Sequence, residues 1–275
     1  MRLSWLKILL SLVFAAAGTY DFKSEGMGTM GLFDKFAEYR KNKHKRAIEK
    51  TARVVKNPKA IREDRWAALE YLVETDDMEN VVPALLERFE FSLEHGILDT
   101  REKELAMSGI VKYGEKVIPL VREKLQKTLR IAWPIKILTE LADEATMIET
   151  LKSALDYKDV SFDQAAVDKN YDILCYLREY KLSGFLDKLS HFLKDPDERV
   201  RFACTEVIIE QEDGDTQGLL EPFLADASAE NTRIRQAVID AFFNRKWKVR
   251  DPSKFENGIV TDNIMINSKG YLQNL

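Results

Sequence analysis

Catalytic chemistry needs polar side chains gathered at short range, and this sequence offers few such sets. The three histidines, His44, His95 and His191, stand far apart, and no HExxH or CxxC spacing supplies metal ligands, so no metal is expected. The chain has neither a GxxxxGK phosphate loop nor a GxSxG nucleophile elbow. Gly214 to Gly218, reading GDTQG, is better suited to a turn between helices. Cys175 and Cys204 are too few for a disulfide framework and fall in apolar periodic stretches, where free cysteine packs as a small hydrophobe. His191 and Cys204 could meet in a solenoid, but one such pair among many is a weak basis for a nucleophile. Trp66, Trp133 and Trp247 read as core or inter-repeat packing, and no cofactor is expected.

Binding chemistry is better represented. Between residues 35 and 65 the chain holds twelve Lys or Arg against four Asp or Glu, while the whole carries a formal charge of −4. It is therefore electrically polarised rather than a polycation. Arg40, Lys41, Lys43, Lys45, Arg46, Lys50 and Arg53 fall on or near one helix. Such a helix could seat a nucleic-acid backbone, an anionic membrane surface or an acidic partner, and a solvated outer face is the plainer alternative. Phe33, Phe36 and Tyr39 stand upstream of the charges rather than among them, which argues against base stacking. A second candidate is acidic: Glu70, Glu206 and Asp240 each lie five residues after an arginine, Arg65, Arg201 and Arg235. They could form a peptide-binding stripe or a charged solvent face.

Those arginines belong to a recurring segment. RWAALEYL from Arg65, RFACTEVI from Arg201 and RQAVIDAF from Arg235 share a basic residue, a small one two places on, an acidic one and an apolar pair. Arg65 and Arg201 are 136 residues apart and Arg201 and Arg235 are 34 apart, so four periods of 34 separate the first two. ELAMSGIV from Glu104, AWPIKIL from Ala132 and YDILCYL from Tyr171 fill the gap as degenerate copies. Each copy follows a second apolar stretch at helical spacing, such as residues 185–193 and 219–224. Val81 to Leu93 and Val117 to Leu125 do the same, with Pro83 and Pro119 placed near the first turn. The unit is a helical hairpin, and about six of them stack between residues 31 and 247 to share one core, as a right-handed α-solenoid.

The segments that carry this pattern, Asp197, Val200, Arg201 and Ala203, and again Ile234, Arg235 and Ala237, resemble the HEAT-repeat group, including the HEAT-like repeats of phycobilisome-lyase type. The resemblance implies that Val and Ala positions pack inside while Asp197 and Arg201 join successive repeats in a ladder, with Arg65 and Arg235 at equivalent places. The loop before Arg235 is longer, so Asp226 need not superpose on Asp197. HEAT-like DNA glycosylases use aromatics and a carboxylate on a basic concave face, whereas the concave candidates here are acidic.

Composition agrees with an all-α class. Among 275 residues, 45% hydrophobic and 32% charged, 12 Gly and 7 Pro are too few for an all-β sandwich with frequent turns. The ends differ from the repeats. Residues 1–29 are signal-like: Arg2 and Lys7 precede an apolar run to Ala17, too short to span a bilayer. Export with cleavage near Ala17 and a cytoplasmic protein starting at Met30 are both consistent with this text. Residues 30–247 form the repeat domain, and residues 248–275 read as a short β-hairpin or extended tail folded over its open end. The expected function is that of a non-catalytic scaffold binding a protein partner through a concave face. An enzyme or accessory lyase on the same scaffold, or nucleic-acid binding through the basic helix, are the alternatives.

Overall fold

The computed structural model describes residues 32–158, 163–211 and 215–275; the signal-like residues 1–29 and Gly214 lie outside them. The chain divides into two compact units, residues 1–44 and 45–275. Helix α1, Leu32–Val55, opens the described chain, and within the first unit its residues 34–44 are exposed.

Helices dominate the second unit, as composition and periodicity predict. They are α2 (Arg62–Glu74), α3 (Met78–Leu86), α4 (Gly96–Val111), α5 (Ile118–Lys127), α6 (Ala132–Leu141) and α7 (Glu144–Ala154). Then come α8 (Gln164–Leu177), α9 (Leu186–Leu189), α10 (Glu198–Ile209), α11 (Thr216–Leu220), α12 (Pro222–Ala225) and α13 (Thr232–Arg245). Aspartate starts many of them. Asp77, Asp143, Asp163, Asp197 and Asp215 each accept a backbone N–H from the first turn of the helix that follows. Residues 215–218 of the GDTQG segment are thus a cap followed by helix rather than a turn, because Asp215 holds the N–H of Gly218 inside α11.

Packing follows an alternation. Helix α2 lies on α4 and α4 on α6, while α3 lies on α5 and α5 on α7. Further along, α8 lies on α10 and α10 on α13. Leu72, Leu85, Ile110, Leu138, Leu174 and Val207 are among the buried residues of one continuous apolar core. Helices α2 and α4 run parallel, since Arg65 near the start of one meets Glu102, and Val73 near its end meets Gly109. Arg65, Arg201 and Arg235 each occupy the fourth position of their helix, α2, α10 and α13.

The second helix of several pairs is shorter than its apolar stripe suggests. Only Leu186–Leu189 and a 3₁₀ turn at Phe192–Lys194 form in residues 185–193, yet Leu186, Leu189, Phe192 and Leu193 are all buried. Pro222, which has no N–H to donate, separates α11 from α12. Pro119 sits in the first turn of α5 as expected, but Pro83 lies inside α3.

The C-terminal residues form three antiparallel strands, β1 (Ile259–Thr261), β2 (Ile264–Ile266) and β3 (Leu272–Asn274), one more than a hairpin. Ile264 pairs with Asn274 and Ile266 with Leu272, and β3 packs on α13. Val260, Ile266 and Leu272 are buried there. Glu221 fastens the connection by accepting the N–H groups of Arg250 and Asp251. Among the described residues no helix is long and apolar enough to cross a membrane.

Two substitutions test this packing in opposite directions. A Cβ on Gly109 would stand 2.7 Å from Val73 Cγ2 and 2.9 Å from Leu85 Cδ1. Gly109→Ala should therefore cost about 1–3 kcal/mol, although Ala is the better helix former. Thr150, fully buried in α7, has a hydroxyl without a hydrogen-bond partner among the described residues. Thr150→Val should raise stability by about 1 kcal/mol. Urea denaturation of both variants reads the two signs.

Candidate functional site

Parallel packing of α2 and α4 leaves a cleft of about 430 Å³ on their outer side, lined by Arg62, Glu63, Trp66, Glu70, Leu98 and Arg101. Trp66 is not core, in contrast to the packing expected for it: its indole N–H donates to Glu70 Oε1 at 2.8 Å across one helical turn. Trp133 and Trp247 do pack, stacked on Phe89 and edge-on to Phe242.

Beneath this cleft lies a buried ionic cluster. Arg65 donates Nε and Nη2 to the two oxygens of Glu102, at 2.7 and 3.0 Å. Arg88 donates Nε to Glu102 at 2.8 Å and Nη2 to Asp99 at 2.6 Å. Lys103 joins Asp99 from one turn on, at 2.6 Å. Glu102 is 1% exposed and Arg88 0%. Burial works to raise the Asp99 carboxyl, but hydrogen bonds from Lys103, Arg88 and the Leu93 N–H outweigh it and hold the group below its ordinary value.

Of these five only Arg65 stood out in the sequence. The signal for the others was present, because Asp99, Glu102 and Lys103 continue the same face of α4 as the buried Ala106 and Ile110. Charges at i, i+3 and i+4 on an apolar stripe mark a buried cluster, not a solvated face.

The remaining candidates separate into two groups. Glu70 and Asp240 are exposed and Glu206 half-buried, so all three point outward from equivalent places on α2, α10 and α13. Each already has a neighbour: Trp66 for Glu70, Arg178 at 3.1 Å for Glu206 and Gln236 at 2.9 Å for Asp240. Around them arginines reach between successive helices. Arg199 donates to Asp168 of α8 at 2.9 Å and lies over Tyr171, and Arg233 donates to Glu198 of α10 at 3.3 Å and lies over Phe202. The basic residues form the second group. Arg40, Lys41 and Lys43 in the first unit, and Lys45, Arg46, Lys50 and Arg53 in the second, are exposed and form no ion pair with described residues.

The Asp197 to Arg201 pairing implied by the resemblance is not what the geometry holds. Asp197 caps α10 and binds the Arg199 side chain at 3.0 Å. Arg201 instead donates back to the carbonyls of Asp195 and Pro196, and forward to Asn231 Oδ1 and the Glu230 carbonyl. Arg235 repeats this, donating back to the Leu224 carbonyl and forward to that of Val260. The ladder is built from arginine and loop carbonyls because a guanidinium has five donors to distribute.

For nucleophilic chemistry the geometry is poor. Cys204 is fully buried, donates to the Leu189 carbonyl at 3.1 Å, and has its thiol pushed up by burial. His191 packs its ring on Tyr157 and Phe192. Burial also pushes the Cys175 thiol up, although Tyr171 is hydrogen-bonded to it. No group of His, Cys, Asp and Glu among the described residues is arranged to hold a metal ion.

The ionic cluster makes a double prediction. Glu102→Gln leaves two buried guanidiniums without their shared counter-charge and should cost about 3–5 kcal/mol. Because the Asp99 value is lowered on folding, its contribution is present above the ordinary carboxylate pKa and is lost as pH falls through the lowered folded value. Wild-type stability should thus fall in acid below about pH 4, and Asp99→Asn should be weaker at neutrality with a flatter acid limb. Chemical denaturation from pH 7 to pH 2 measures both.

No protein-family model matches the chain, and neither a curated protein nor a solved structure matches it.

Proposed function

We propose that this chain is a non-catalytic scaffold, a right-handed α-solenoid of HEAT-like hairpins that binds a protein partner through its concave face. One observation carries the reading. Glu70, Glu206 and Asp240 recur five residues after the repeated arginine on the outward side of α2, α10 and α13, the last two of which pack on each other. A carboxylate repeated at equivalent places of packed helices suits an extended polypeptide.

The energetics favour exchange of partners on that face. Its ion pairs, Arg178 with Glu206 and Arg199 with Asp168, are solvent-accessible and worth about 0–1 kcal/mol each, so a partner's charges can replace them at little cost. The cleft beside Trp66 adds an apolar wall with Arg62 and Arg101, cations that pair with no carboxylate among the described residues, at its rim. An aromatic beside arginine is the composition of a binding hot spot.

The test uses the tagged full-length chain and its Glu70→Lys, Glu206→Lys, Asp240→Lys variant, both incubated with native-host extract with and without nuclease. Proteins retained after nuclease and lost from the variant, at an unchanged melting temperature, are the expected result. Equal retention by the variant overturns the face, and retention abolished by nuclease moves the function to nucleic acid bound by the Lys45 to Arg53 stretch.

A further inference from the structure

The edge formed by the starts of α2, α4 and α6 has a chemistry unlike the rest of the second unit. Ile61, Ile97 and Leu129 stand there 65%, 76% and 44% exposed, at the N-cap of α2, the second residue of α4 and the loop before α6. The three loops are tied together, because Arg65 binds both the Ala60 carbonyl and Glu102, while Arg130 donates to Ser92 and Thr128 to Glu90. Single exposed aliphatics are ordinary, but three projecting from adjoining loops on one edge are not.

Positive charge surrounds them. Lys59, Arg62, Arg101 and Arg130 are exposed and pair with no carboxylate among the described residues, against Glu63, Asp64 and Glu94, while Glu87 and Glu90 beside Leu129 are neutralised by Lys124. Arg178, Arg199, Arg233 and Arg245, by contrast, are neutralised by carboxylates of neighbouring helices, while Arg46 and Arg53 of α1 are unpaired among the described residues. No side chain caps α2, α4 or α6, a feature they share with α5 and α13, and Glu63, Asp64 and Asp99 stand in the first turns of α2 and α4.

The geometry points to this edge as a docking surface for an anionic lipid bilayer, with Ile61, Ile97 and Leu129 entering the interface and the cations meeting phosphate headgroups. Charge complementarity calls for a polyanion, and the aliphatic tips choose among polyanions. A nucleic-acid backbone offers nothing apolar to branched aliphatic side chains, and stacking on bases needs aromatic rings. The region between acyl chain and headgroup receives both kinds of side chain at once. The edge borders the cleft beside Trp66 and shares Arg62 and Arg101 with it, but the lipid reading does not rest on the partner-binding face.

Sedimentation of the full chain with phosphatidylcholine vesicles, with and without phosphatidylserine, tests the proposal. Two variants accompany it: Ile61→Ser, Ile97→Ser, Leu129→Ser, and Lys59→Glu, Arg62→Glu, Arg130→Glu. Ile97→Ser alone guards against misfolding of the triple variants, which circular dichroism checks. The expected result is binding about tenfold stronger to the phosphatidylserine vesicles, with that preference lost in the charge variant and binding to them about tenfold weaker in the serine variant. Equal binding to both vesicle types overturns the proposal, as does no binding or binding unchanged in both variants. Weakening in the charge variant alone, together with tight binding of duplex RNA by the wild type, assigns the edge to nucleic acid and overturns it equally.

Discussion

Glu102 places one negative charge between two buried guanidiniums, and the first half of the second unit is arranged around that fact. A charge removed from water must be paired, and the pairing has directional limits because each guanidinium is a rigid planar fork. Arg65 comes from α2, Arg88 from the 3₁₀ turn after α3, and Glu102 from α4, so three successive elements are held in one register. Sliding any of them by one turn would strand a buried ion. Attraction within such a cluster is largely offset by desolvation, so its main consequence is position rather than net stability. The cleft by Trp66 takes its shape from this register, since its walls are the outer faces of the two helices that Arg65 and Glu102 join.

The same residue type solves a related problem at the other repeated positions without a buried carboxylate. Short helices leave loop carbonyls that need donors, and an arginine in the first turn can serve the loop behind it and the one ahead. Arg201 does this between Asp195 and Glu230, and Arg235 between Leu224 and Val260. In the last case the element ahead is the first strand of the sheet. The sheet covers an apolar surface that α13 would otherwise leave to water.

This explains which parts of the fold were legible in the sequence. The arginine in the first turn, the apolar stripes and the tail's alternation of Ile259, Val260, Ile264 and Ile266 are local patterns, and each recovered its element. The copy at α8 was faint because other side chains serve the loop carbonyls there. Lys169 donates to the carbonyls of Leu125 and Gln126, and Asn170 bonds both backbone groups of Asp156, so no arginine is required there. The acidic stripe was legible as positions but not as chemistry, since the indole of Trp66 and the guanidinium of Arg178 reach Glu70 and Glu206 only through folded geometry. The exposed edge was hidden for the opposite reason. Ile61, Ile97 and Leu129 look like core residues until the helix starts are fixed, and only then does each fall just outside the buried stripe.

Compensated and uncompensated charge are thus separated over the surface of one unit. On the face of α8, α10 and α13, carboxylates and arginines alternate between neighbours, which cancels the long-range field and leaves recognition to contacts of short reach. On the edge before α2, α4 and α6, the cations Lys59, Arg62, Arg101 and Arg130 pair with no carboxylate among the described residues and outnumber Glu63, Asp64 and Glu94. A field that adds extends about a Debye length into solvent, roughly 8 Å at physiological salt, and orients an approaching polyanion before contact. Under the two proposals, the edge selects by charge at a distance and the face by the fit of side chains once contact is made.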